Sequence, residues 1–77
     1  MKITLEYVAT LKVSGPASGS IVEISDGSSV TDLFNHLEIR TSHQRVLAAF
    51  ISNEKVHRDT ILSDGDQVFI GMPVGGG

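Results

Sequence analysis

The chain has 77 residues, no cysteine, and a net charge of −3 from six Lys and Arg against nine Asp and Glu. Such a length builds one small domain that buries only about 60% of its unfolded surface and leaves no room for a second, while the lack of cysteine excludes a disulfide framework, a thiol nucleophile and a thiolate metal site. Lys and Arg are scattered singly, giving no basic stripe for a phosphate backbone, and no apolar run reaches the length of a signal core or membrane span; the expectation is a cytoplasmic protein that binds neither nucleic acid nor membrane.

Ile3, Leu5, Tyr7 and Ala9 alternate with Lys2, Thr4, Glu6 and Val8, the period-two pattern of a strand with one buried face. Ser14 to Gly19 is turn chemistry, and the β-prone run Ser20 to Ser25 returns as a hairpin partner. Ile21 and Val22 are adjacent there, so the alternation is imperfect. After Asp26-Gly27, Ser29 precedes Asp32 by three residues, a capping-box spacing that satisfies free amides at a helix start. Val30, Leu33, Phe34 and Leu37 stand at i, i+3, i+4 and i+7, one apolar stripe able to cover a sheet. This predicts a helix ending near Glu38 to Arg40.

Thr41 to Arg45 is polar and reads as a loop, and the continuous apolar run Val46 to Ile51 reads as an interior strand. Asn53-Glu54 turns the chain into a short edge piece, Lys55-Val56-His57, and Asp64-Gly65-Asp66 makes a second tight turn before a last strand, Gln67 to Ile70. Proline donates no amide hydrogen and restricts the residue before it, so Met72-Pro73 stops regular pairing. A β-β-helix-β-β order predicts an α+β roll in which one main helix packs across a mixed sheet. Residues 1–77 form the single domain, with a flexible tail over 74–77.

That tail, Val74-Gly75-Gly76-Gly77, is the candidate working end. Glycine lacks Cβ and fits narrow channels closed to bulkier residues. Four extended residues reach roughly 13 Å at about 3.3 Å each, far enough to carry the Gly77 carboxylate into a partner's active site. Frayed glycine ends are the competing explanation. Within the body, His36, His43 and His57 lie on different predicted elements without metal-ligand spacing, so no metal is expected. No Gly-x-Ser-x-Gly elbow or Ser-His-Asp arrangement is present, and Asp64 and Asp66 read as turn stabilisers. By alternation Val8 and Phe69 face away from the predicted core and, with Met72, make a candidate docking patch near the tail exit.

The element order, the stretch Leu62 to Ile70 and the ending Pro73-Val74-Gly75-Gly76-Gly77 together resemble the ubiquitin-like β-grasp sulfur carriers. The molybdopterin-synthase small subunit is the nearest group, and the thiamine-pathway carrier is a close relative. Tyr7 to Lys12 resembles that family's first strand and its exit. This chain departs in having Gly71-Met72 before Pro73, where bulky hydrophobics are frequent, and in carrying three terminal glycines.

The resemblance implies a chemistry located outside this chain. A ubiquitin-activating-like adenylyltransferase uses ATP to make an acyl-adenylate at the last glycine, and a sulfur donor protein then displaces AMP to leave a thiocarboxylate. That group is carried to a large catalytic subunit of the molybdopterin-synthase type or to another sulfur acceptor enzyme. The chain itself is expected to bind no cofactor and to serve as carrier and co-substrate. Three alternatives stay open: a carrier for thiamine or another sulfur-containing product, a protein modifier joined to lysines through Gly77, and a passive β-grasp interaction module.

Overall fold

The computed structural model describes residues 1–8, 11, 13 and 15–72. Strands β1 (Lys2–Tyr7), β2 (Ser20–Glu23), β3 (Ala48–Ile51), β4 (Glu54–Val56) and β5 (Gln67–Gly71) form one sheet, and helices α1 (Val30–His36) and α2 (Thr41–Gln44) fall between β2 and β3. The spatial order is β2-β1-β5-β3-β4. β1 pairs antiparallel with β2 and parallel with β5, and β3 is antiparallel to both β5 and β4. The sheet is therefore mixed, as the element order predicts.

Alternation sorts the sheet into two faces. Ile3, Leu5, Val22, Ala49, Val68 and Ile70 point to the side covered by α1, where Val30, Leu33, Phe34 and Leu37 join them in one apolar cluster. Leu5, Leu33 and Ile70 are fully buried, and each such side chain contributes about 1.5–3 kcal/mol of transfer free energy. The doublet at Ile21-Val22 resolves cleanly: Val22 is in the core and Ile21 is 71% exposed. Ile24 also joins the core, although β2 ends at Glu23 rather than Ser25.

The predicted cap forms. Ser29 Oγ accepts from the Asp32 amide at 3.1 Å, and Asp32 Oδ2 accepts from the Ser29 amide at 2.9 Å. Of the two carboxylates in the Asp64-Gly65-Asp66 turn, Asp66 acts within the turn as predicted, its Oδ2 accepting from the Ser63 amide at 2.8 Å, whereas Asp64 reaches across to β1, its Oδ1 accepting from the Lys2 amide at 2.7 Å. This turn delivers the chain into β5 beside β1, with Thr4 N donating to Asp66 O at 2.9 Å.

Several boundaries differ from expectation. α1 ends at His36, and Glu38 adopts a left-handed φ of 58° just beyond it. The expected loop from Thr41 contains α2 instead. Its stabilising contact is polar: the buried Gln44 amide donates to Ile39 O at 2.8 Å and to Asn35 Oδ1 at 2.9 Å. Val46 and Leu47 still belong to the turn after α2, donating to His43 O and Gln44 O, so β3 starts at Ala48 rather than Val46. The β3–β4 hairpin turns on Ser52-Asn53, one residue earlier than predicted. Both have positive φ, at 51° and 70°, the backbone of a two-residue type I′ connection.

Candidate functional site

β5 is the central strand that carries the chain toward its C-terminal end, bonded to β1 on one side and β3 on the other. Its last residue, Gly71, pairs with Ala48, and Met72 follows it. The tail residues singled out from the sequence, Val74, Gly75, Gly76 and Gly77, lie outside the described residues, together with Pro73 and Ala9. What the structure describes is the platform immediately before the tail.

On the sheet face opposite α1, Phe69 pairs in register with Glu6 on β1 and Phe50 on β3, and Phe50 pairs with Lys55 on β4. Glu6, Phe69, Phe50 and Lys55 thus form one row across four strands, with an aromatic centre and an opposite charge at each end. The two rings are tilted at 55° with centroids 6.2 Å apart, within the range of favourable aromatic pairs. Phe69 is 39% exposed, enough to leave one side of the ring available.

Gly71 explains how the ring lies. A Cβ at this position would stand 2.8 Å from Phe69 Cε1 and 3.6 Å from Val8 Cγ1. The absent side chain gives the Phe69 edge room to lie along the strand toward Val8. Val8 is half-buried and its amide donates to Ile70 O at 3.2 Å, extending the β1–β5 pairing to the exit. Of the three docking residues proposed from sequence, Val8 and Phe69 therefore share one face around Gly71, and Met72, 48% exposed, stands at the exit itself.

Sequence reading missed Phe50. It lies within an apolar run that shows no alternation, and only the register with Phe69 reveals which face it takes. Lys55 was read as part of an edge piece but not as the charged end of this row. The three histidines fall on α1, on α2 and after β4, and no group of three or more His, Cys, Asp or Glu converges among the described residues. None of the helices among those residues is long and apolar enough to cross a membrane.

Comparison with known proteins places this platform in context. The model of the ThiS family matches residues 6–77, which takes in the end of β1, strands β2 to β5, both helices and the glycine tail. A search of curated proteins finds no match. Among solved structures, the crystal structure of SAMP1 from Haloferax volcanii superimposes with a TM-score of 0.65 at 19% identity, covering 100% of both chains. At that identity the likeness is one of fold, and the fold is the β-grasp roll that the sequence predicts.

Proposed function

Because the chain belongs to the ThiS family of ubiquitin-like β-grasp sulfur carriers, we propose that it carries sulfur on the carboxyl group of Gly77. The supporting observation is the span of the family match, which runs through the tail to residue 77 as well as through the body. A carboxylate is a poor electrophile because its charge is delocalised. In the proposed route a ubiquitin-activating-like adenylyltransferase lets the Gly77 carboxylate attack the α-phosphate of ATP, releasing pyrophosphate and forming an acyl-adenylate. A sulfur donor protein then supplies sulfide equivalents to the carbonyl carbon, AMP leaves, and a thiocarboxylate remains.

The body supplies position. β5 is held on both sides by β1 and β3, so the tail departs from a rigid strand, and docking brings the thiocarboxylate to its acceptor by proximity rather than by collision from bulk solvent. Val8, Phe69, Phe50 and Met72 form the surface proposed to meet the partner, with Glu6 and Lys55 setting orientation at its rim. The acceptor proposed first is a large catalytic subunit of the molybdopterin-synthase type, on the resemblance of the Pro73-Val74-Gly75-Gly76-Gly77 ending. ATP and any metal belong to these partners.

The test is a chain lacking Gly76 and Gly77. ATP–pyrophosphate exchange by a cognate adenylyltransferase is expected to disappear while the thermal unfolding curve is unchanged. Exchange at the full rate with the shortened chain would reject the assignment of Gly77.

A further inference from the structure

A second surface lies on the side of the sheet that carries the helices. A groove of about 290 Å³ runs between the end of α2 and the outer strand β4, with Phe34, Leu47 and Val56 among its apolar lining residues. Arg45, His57 and Arg58 also line it, and Lys55 borders it from β4 while its register with Phe50 places it in the row on the other face. Arg45 and Arg58, two of the chain's six Lys and Arg, therefore meet here beside His57, although the net charge is −3. No lining residue is acidic among those described. Asp59 Oδ2 lies 3.5 Å from His57 Nδ1, with both side chains largely exposed.

Hydrogen bonds fix both walls. Arg58 O accepts from Thr31 N at 3.0 Å and from Thr31 Oγ1 at 3.1 Å, and Thr60 O accepts from Val30 N at 3.0 Å. These ties hold the segment after β4 against the start of α1. On the other side, the two bonds of the buried Gln44 amide anchor α2 directly before Arg45. Cations carried on backbone already in place need less ordering on binding than cations on a loose loop. Among the described residues β4 also has no neighbour on its outer edge, which leaves backbone groups available to an added strand. The volume sits at the low end of the roughly 300–1,000 Å³ typical of small-molecule pockets, so it suits one or two anchoring side chains better than a cofactor.

We infer that this groove docks an acidic segment of another protein, with carboxylates against Arg45 and Arg58 and one apolar side chain over Leu47 and Val56. The surface is separate from the Phe50–Phe69 face, and its test needs no adenylation or sulfur chemistry. The probe is a dye-labelled peptide of alternating Asp and Glu with a central Leu-Phe pair, titrated by fluorescence anisotropy. Saturable binding is expected, with amide shifts on Leu47, Val56, His57 and Arg58. The double variant Arg45→Glu/Arg58→Glu should weaken it roughly tenfold or more, and raising the salt to about 1 M should weaken it as charge screening shortens to about 3 Å. If the reversal variant fails to fold, Arg45→Gln/Arg58→Gln serves, with a smaller loss in the same direction. Absence of saturation overturns the inference, as does equal affinity for a peptide with Ser-Ser in place of Leu-Phe, or shifts confined to Phe50 and Phe69. Self-association of the chain through the groove, seen by sedimentation, overturns it as well.

Discussion

Replacing Gly71 with alanine separates the fold from the docking surface. The added methyl would lie 2.8 Å from Phe69 Cε1, whereas carbon atoms settle at about 3.5–4.0 Å, so the ring must retreat by roughly 0.7 Å or more. The obstacle is the far edge of a ring that is 39% exposed, so rotation toward solvent relieves it at about 0.5–1.5 kcal/mol for an off-rotamer side chain. Loss of glycine's freedom in the unfolded chain returns about 0.4–1 kcal/mol. The two nearly cancel, and the expected change in unfolding temperature is within about 5 °C for a domain of this size. The ring nevertheless leaves its place against Phe50. Thermal unfolding, aromatic proton shifts and calorimetric affinity for a cognate adenylyltransferase read these effects apart. We expect a nearly unchanged melt, shifted Phe50 and Phe69 ring resonances, and affinity reduced several-fold. A fall of more than about 10 °C would show that the ring is locked and the steric reasoning wrong; displaced rings with unaltered affinity would remove Phe69 from the interface.

Three further perturbations follow from the same structure. Ser29→Ala removes the acceptor for the Asp32 amide and should cost about 1 kcal/mol, seen as a drop of about 4–8 °C in the melting temperature. Leu5→Ala empties a fully buried site at the centre of the β1 pairing; a loss of about 2–5 kcal/mol in urea unfolding is expected, a large share of the total for so small a domain. Val8→Asp and Phe69→Asp place charge on the exit face and should weaken adenylyltransferase binding while the far-ultraviolet circular dichroism stays that of the parent.

The sequence made the core legible wherever one period dominated. Ile3 and Leu5 on the first strand, and Val30, Leu33, Phe34 and Leu37 along the helix, are all buried as their spacing predicts. Ser29 and Asp32 announced the helix start because capping is a local bargain between neighbours in sequence. α2 escaped detection because its stability rests on the Gln44 amide reaching Ile39 and Asn35, a tertiary contact that leaves no apolar period. The run from Val46 to Ile51 hid both the start of β3 and the outward face of Phe50, since continuous hydrophobicity carries no parity. For the same reason Val8 and Phe69 were readable as a surface pair, whereas the row from Glu6 to Lys55 required strand register. The basic groove brings Arg45, just after α2, together with His57 and Arg58, just after β4, and their separation along the chain gave no hint of it.

In the proposed function the Gly77 carboxyl group exchanges one oxygen for sulfur. Intact mass spectrometry after incubation with ATP, sulfide and a cognate adenylyltransferase tests it directly. The expected product is heavier by the difference between one sulfur and one oxygen atom, with fragmentation placing the change on the last residue. An unchanged mass in the presence of an enzyme shown to be active on another carrier would contradict it.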